Sequence, residues 1–291
     1  MAIFTKATFI LMLILVLSAY WMYDGFDEDS VKGKQVVITG ASGGIGEQIA
    51  YHFARLGAKV LLTARREAVL KKVVEKCKEL GAEEAFYIPL DMGNLDHTKR
   101  LIQEAKTKFG GLDYLILNHI TTSHLELWKG DMERLEQIMN VNFRAYVSLA
   151  TEALPMLEAS KGSIGVVSSF AGKVGVPYTA PYCASKFALD GFFGALRQEL
   201  IFKNKDVSIT LCILGSIDTP NARSAAKAIQ DPDMYSTSSA DTALAIIRGT
   251  VTRQREVYYP HMIKPITLVR DWIPDILDSV IRSNFKVDTP E

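Results

Sequence analysis

Cysteine is scarce in this chain of 291 residues, which has three: Cys77, Cys183 and Cys212. They are odd in number, widely spaced and set in segments that read as core helix or strand, so neither a disulfide framework nor a metal cluster is indicated. Buried inert thiols and no bound metal are the expectation. An excess of either charge is also lacking. With 33 basic and 33 acidic side chains and no basic run, nucleic acid is not the expected partner. The chain carries no Asn-x-Ser/Thr sequon, no internal repeat and no low-complexity linker.

Long hydrophobic runs are absent too, with one exception. From Ala7 to Tyr23 the sequence ATFILMLILVLSAYWMY has no charge; Lys6 precedes it and Asp24, Asp27, Glu28 and Asp29 follow closely. A helix of ~17 residues spans ~26 Å, close to the ~27 Å hydrocarbon core of an endoplasmic reticulum bilayer. The basic flank stays cytoplasmic. Residues 1–30 are therefore expected to be a single-pass anchor, with a globular domain, residues 31–291, in the lumen. Tyr20, Trp21 and Tyr23 fall where an aromatic belt would lie. The alternative is a cleaved signal peptide and a secreted protein, although Ser18-Ala19 is the best cleavage site on offer.

From Lys34 onward, short apolar runs alternate with helical stretches. KQVVIT (34–39), KVLLTA (59–64), AFYIPL (85–90), DYLILN (113–118), GSIGVVSS (162–169), VSITLCIL (207–214) and EVYY (256–259) read as strands. Between them lie helices, including one long helix ending near Ala159. Strands that are apolar throughout and alternate with helices predict a parallel sheet covered on both faces. The expected fold is α/β: a Rossmann-type, doubly wound, three-layer αβα single domain.

The stretch VVITGASGGIGEQIA (36–50) follows the first strand and opens the first helix. Gly40, Gly44 and Gly46 stand where backbone turns tightly, approaches a phosphate and packs helix on strand. A helix N-terminus there favours an anion, so nucleotide binding is the reading. The second strand ends Thr63-Ala64-Arg65-Arg66, with no carboxylate to hold ribose hydroxyls and two guanidiniums suited to a 2′-phosphate. NADP(H) is therefore the expected cofactor. Asp91, closing YIPLD, reads as an adenine contact or as a loop-capping aspartate.

Tyr182 and Lys186 are neighbours on one helical face. Alone that spacing is common. Ser168 and Ser169, however, end the fifth strand 13 residues before Tyr182, and ligands in such sheets bind beyond the strands' carboxyl ends. Asn142 sits inside a predicted helix, a poor place for asparagine unless its amide is used. A phenol is a weak base near neutrality and needs a neighbouring positive charge to ionise, which Lys186 would supply. Ser169 would hold a substrate oxygen.

Together TGASGGIG (39–46), Asn142, Ser169 and Tyr182-x-x-x-Lys186 resemble the short-chain dehydrogenase/reductase family over residues 33–260. LILNHI (115–120), ALPML (153–157), KFALDGFF (186–193) and SITLCILG (208–215) are similar to its steroid branch, which interconverts 11-keto and 11-beta-hydroxy groups. The resemblance implies catalytic roles for Ser169, Tyr182, Lys186 and Asn142, with Asn142 holding a proton-relaying water. It also implies cofactor contacts from Ser42, Gly43, Ile45, Met92, Asn118, His119, Ile120, Ile217 and Thr219, besides Tyr182 and Lys186, and a homodimer. The usual NNAG loop is Asn118-His119-Ile120-Thr121 here, and His119 reads as structural rather than catalytic. Val174, Val176, Pro177, Tyr178 and Ile217 would wall a pocket for a small lipophilic substrate such as a steroid, with Tyr178, Ser169 and Tyr182 contacting it. An apolar helical region over 261–285 would dock on the membrane interface or on a second subunit.

Overall fold

The computed structural model describes residues 25–121, 125–219 and 236–286, with the single positions Met12 and Ala222. The apolar run from Ala7 to Tyr23 falls almost wholly outside them. Among the described residues no helix is long and apolar enough to cross a membrane.

Seven parallel strands form one sheet: β1 (Gln35–Thr39), β2 (Lys59–Ala64), β3 (Glu84–Pro89), β4 (Tyr114–Leu117), β5 (Ser163–Val167), β6 (Ser208–Leu214) and β9 (Glu256–Tyr259). They lie in the order β3-β2-β1-β4-β5-β6-β9. Alternate residues of β1 show why both faces are covered. Val37 joins one buried cluster, with Leu61, Leu115, Ile164 and Leu149. Val36 and Ile38 join the other, with Val60, Leu62, Ile116 and Phe53. Helices α1 (Gly44–Arg55), α2 (Glu67–Glu79) and α7 (Ser239–Val251) cover the second face. The first is covered by α3 (Asp96–Phe109), α5 (Ala145–Ser160) and α6 (Ala180–Phe202). This is the doubly wound three-layer αβα fold. The strand order reverses between β1 and β4, so a crevice opens there at the carboxyl ends.

Two features depart from expectation, and a third, the division of the C-terminal region, falls at one of its two prolines. The long helix before Ala159 is interrupted: α4 (Met132–Met139) passes through a π-helical turn, Asn140–Arg144, into α5. Such turns are often found at functional sites, and this one contains Asn142. A two-stranded ribbon, β7 (Ile217–Asp218) with β8 (Thr237–Ser238), was not foreseen, because two residues show no periodicity. The apolar C-terminal region is two helices, α8 (Ile263–Val269) and α9 (Pro274–Ser283), divided before Pro274. Leu277 is buried, whereas Trp272 is 85% and Leu268 65% exposed.

Candidate active site

The glycine turn is built around the end of β1. Gly40 has φ +67°, and a Cβ there would lie 2.8 Å from the His119 Cα. A Cβ at Gly46 would lie 2.3 Å from the Gly40 carbonyl oxygen and 2.5 Å from the Asn118 amide nitrogen. Only glycine admits this packing of α1 on the ends of β1 and β4. Thr39, fully buried, closes the joint from below: its hydroxyl donates to Ile116 O at 3.2 Å and accepts Asn118 N–H at 2.9 Å. Asn118 Nδ2 donates to the carbonyls of Thr39 (3.2 Å) and Gly40 (3.3 Å). The Asn118-His119 backbone thus bounds the crevice, in place of the usual glycine-containing loop.

His119 is a wedge. It is 7% exposed, with Nδ1 2.8 Å from Thr39 Oγ1 and Nε2 3.1 Å from Val141 O. Burial, helped by the Lys186 charge, pushes its pKa down to about 3. It is a neutral structural residue at physiological pH. Ile120 beside it is partly buried.

The opening of α1 fits an anion. Its first residues lack any side-chain cap, leaving backbone N–H groups to a ligand. Arg66 lies across the turn: Nη2 donates to Ser42 O at 2.7 Å and to Ser42 Oγ at 3.2 Å, and passes 3.3 Å from where a Gly43 Cβ would be. Arg65 is exposed beside it. Ile45 packs on the core. Thr219 closes over Gly44, its methyl 3.2 Å from the Cβ that glycine lacks, and Ile217 is 6% exposed beneath. Asp91 is exposed, and its Oδ1 accepts Gly93 N–H at 2.9 Å, the loop-capping bond. Met92 is core, and Asn140 of the π-helical turn fixes this loop by donating to Gly93 O at 2.6 Å. A nicotinamide dinucleotide fits this donor set, with the two arginines at the end that a 2′-phosphate would occupy.

The residues expected to react gather at the end of β5. Ser169 caps a 3-10 turn, Phe170–Gly172, its hydroxyl accepting Ala171 N–H at 3.2 Å. Lys186 is 1% exposed; its ammonium donates to Val167 O at 2.9 Å and lies 5.7 Å from the Tyr182 ring centre. Burial raises the Tyr182 pKa to about 12 despite the opposing influence of the Ser169 hydroxyl. Burial also lowers Lys186 to about 7. Each group is thus pressed toward its neutral form, whereas the sequence reading had Lys186 simply holding a full charge beside a phenolate. Ser168, expected to face the cofactor with Ser169, is 6% exposed and turned under Gly172.

Asn142 is fully buried. Its Oδ1 accepts Thr121 N–H at 2.8 Å, and Nδ2 donates to Thr121 O at 3.0 Å and to Ser185 Oγ at 3.4 Å. The amide clamps the loop after β4. Tyr178, expected at the substrate, donates its hydroxyl to Lys286 O at 2.8 Å and sets its ring 6.0 Å from Phe285. Val174 is buried in the same segment. Tyr146 escaped sequence reasoning: its hydroxyl donates to His119 O at 2.7 Å and its ring lies 5.3 Å from the Lys186 ammonium. Nothing in an ordinary helical tyrosine signals that. The three cysteines are free and buried, and no group of potential metal ligands occurs among the described residues.

Comparison with known proteins agrees with this architecture. A zebrafish (Danio rerio) protein named hydroxysteroid 11-beta-dehydrogenase 1-like is 46% identical over 285 residues, 98% of this chain and 99% of its own. Its chicken (Gallus gallus) namesake is 50% identical over 253 residues, covering 87% and 88%. An alcohol dehydrogenase from Thermococcus sibiricus, solved with 5-hydroxy-NADP, superposes with a TM-score of 0.68 at 26% identity, over 77% of this chain and 95% of its own. Residues 34–230 match the family described as short chain dehydrogenase. With the crevice at the β1–β4 reversal and Ser169, Tyr182 and Lys186 beyond β5, the match has its structural reason, and the chain belongs to the short-chain dehydrogenase/reductase family of oxidoreductases, which use a nicotinamide cofactor.

Proposed function

We propose that this oxidoreductase uses NADP(H) to interconvert a ketone and a secondary alcohol on a steroid, with 11-keto and 11-beta-hydroxy glucocorticoids (cortisone and cortisol) as the leading pair. The observation that carries the chemistry is the gathering of half-buried Ser169 and Tyr182 beside the buried Lys186. Arg65 and Arg66, with no carboxylate at the end of β2, support the phosphorylated cofactor. The names of the relatives support the steroid.

When bound, the cofactor supplies or accepts the hydride at the carbinol carbon. Ser169 holds the substrate oxygen, and Tyr182 moves the proton on and off it. With its pKa raised to about 12, Tyr182 keeps its proton at neutrality and is ready to give it to a carbonyl oxygen. The reverse reaction needs that proton removed first. Alcohol oxidation should therefore climb with pH through the alkaline range, while ketone reduction stays level or falls.

Residues 1–30 are proposed as an endoplasmic reticulum anchor holding the domain 31–291 in the lumen, on the strength of the uncharged run from Ala7 to Tyr23 and its acidic flank. Protease protection in sealed microsomes tests this, and digestion of the domain without detergent would overturn it. A homodimer belongs to the same reading, tested by sedimentation in detergent.

The decisive assay is turnover of cortisone with NADPH and of cortisol with NADP⁺. Tyr182→Phe should lose ~10²- to 10⁴-fold of either activity; wild-type turnover by that variant would sink the mechanism. Turnover of retinoid, prostaglandin or xenobiotic carbonyls in place of steroids would keep the mechanism and replace the substrate. Cofactor binding without turnover of any of these would point to a non-catalytic scaffold.

A further inference from the structure

The turn that carries Ser169 is fastened to helix α6 by more than apolar packing. A Cβ at Gly172 would lie 2.9 Å from the Lys186 carbonyl oxygen and 2.9 Å from Ser168 Oγ, so the turn rests directly on the helix at Lys186. The next residue, Lys173, ends the turn and places its ammonium 2.7 Å from Asp190 Oδ1 and 3.1 Å from Glu256 Oε1. Asp190 stands one helical turn beyond Lys186, on the same face. Glu256 opens β9 and accepts the Tyr258 hydroxyl at 2.9 Å. From the other side, Arg270 after α8 donates Nη1 to Lys173 O at 2.5 Å, with its guanidinium 5.9 Å from the Phe187 ring. Three elements thus meet on one lysine.

An exposed ion pair would contribute little. This one is different because the Lys173 side chain is only 17% exposed and has two carboxylates. Burial alone would lower its pKa; Asp190 and Glu256 reverse that and raise it. Removing the ammonium would leave two partly buried carboxylates facing each other without a counter-charge.

We propose that Lys173 is a positioning residue for Ser169: its ion pairs with Asp190 and Glu256 fix the turn bearing Ser169 against the helix bearing Tyr182 and Lys186. The influence of the Ser169 hydroxyl on the Tyr182 phenol depends on that spacing. This rests on the proposed catalytic reading and extends it to a residue remote from the reacting atoms.

A double-mutant cycle with Ser169→Ala tests it. Lys173→Met should lower kcat for cortisone reduction ~10-fold while KM for NADPH stays within ~2-fold, because the nucleotide half is untouched. Lys173→Arg should recover most of the loss. In the Ser169→Ala background, Lys173→Met should cost no further turnover, because the residue through which it acts is gone. Losses that multiply in the double variant, or a KM for NADPH that rises as kcat falls, would overturn the assignment and leave Lys173 as general scaffold. Should Lys173→Met fail to fold, the near-isosteric Asp190→Asn goes through the same cycle. Wild-type turnover by both Ser169→Ala and Tyr182→Phe would overturn the catalytic reading and the inference with it. An impaired Ser169→Ala with multiplying losses overturns the inference alone.

Discussion

The two sides of the cleft are held together by opposite means. On the nucleotide side, backbone lies on backbone: Gly40 and Gly46 admit no side chain, and Thr39, Asn118 and His119 tie the ends of β1 and β4 from inside the core. On the substrate side, segments are tied through side-chain termini, as at Lys173–Asp190–Glu256 and Tyr178–Lys286. There the surface also leaves Leu268, Trp272 and Ile276 largely exposed. A joint made of backbone tolerates no substitution, whereas a joint made of side-chain tips can be altered without unfolding the domain. On the proposed reading, cofactor geometry is thereby insulated from changes that tune the substrate.

The sharpest way to break that contrast is Gly46→Ala. Its methyl would enter space 2.3 Å from the Gly40 carbonyl oxygen, and no rotamer relieves a backbone clash. Overpacking of this kind costs ~1–3 kcal/mol, and here it also spreads the crevice. Loss of detectable NADPH binding by titration calorimetry, with a lowered Tm, is expected; wild-type affinity would refute the backbone-joint account.

Lys186 gives the next largest effect, seen in the protein without cofactor. Its folded pKa, about 7, lies below the ~10.4 of a free lysine, so between those values the unfolded chain binds the extra proton. Stability should therefore rise as the solution is made more alkaline from pH 7 toward about pH 9, with a limiting slope of ~1.4 kcal/mol per tenfold fall in proton concentration. Above that the trend reverses, because the buried Cys77 and Cys212 thiols, and then Tyr182, hold their protons to about 12 in the folded state. Lys186→Met should flatten the rise in denaturant-derived stability between pH 7 and about pH 9. An unchanged slope would mean that the ammonium is charged and solvated.

Arg65 and Arg66 carry a smaller effect, confined to one cofactor. Replacing both by alanine should raise KM for NADPH ~10-fold or more and leave NADH turnover near its starting value, since charge-assisted phosphate contacts are lost without touching the crevice floor. Equal damage to both cofactors would show that Arg66 serves the turn, through Ser42 O, rather than a 2′-phosphate.

The same division explains what the sequence disclosed. The parallel sheet, the glycine turn and the pairing of Tyr182 with Lys186 follow from periodicity and from residues that local geometry requires. The π-helical turn at Asn140–Arg144 was hidden because NVNFR has the pattern of ordinary helix. Asn142 drew notice as an asparagine inside a helix, yet its partner, the backbone of Thr121, has no side-chain signature. Tyr146 and the Lys173 cluster depend on contacts between residues 27 and 83 positions apart, which no local pattern encodes. The perturbed pKa values come from burial, which spacing alone does not reveal.

Tyr178 carries the smallest expected effect and tests the substrate side most directly. It adopts φ +64°, unusual for a non-glycine residue, and joins three segments. Its carbonyl accepts Glu126 N–H at 3.2 Å, its hydroxyl donates to Lys286 O at 2.8 Å, and its ring meets Phe285. The hydroxyl is thus engaged within the chain, where the sequence suggested a bond to substrate. Tyr178→Phe keeps the ring contact and removes one neutral hydrogen bond, worth ~0.5–1.5 kcal/mol. If the hydroxyl only clasps the C-terminal segment, KM for steroid should shift up to ~10-fold, with kcat unchanged. Removing residues 286–291 should then reproduce the shift, and adding Tyr178→Phe to that truncation should do nothing more. A fall in kcat with Tyr178→Phe that persists in the truncated chain would instead place the hydroxyl on the substrate, and the clasp would be incidental.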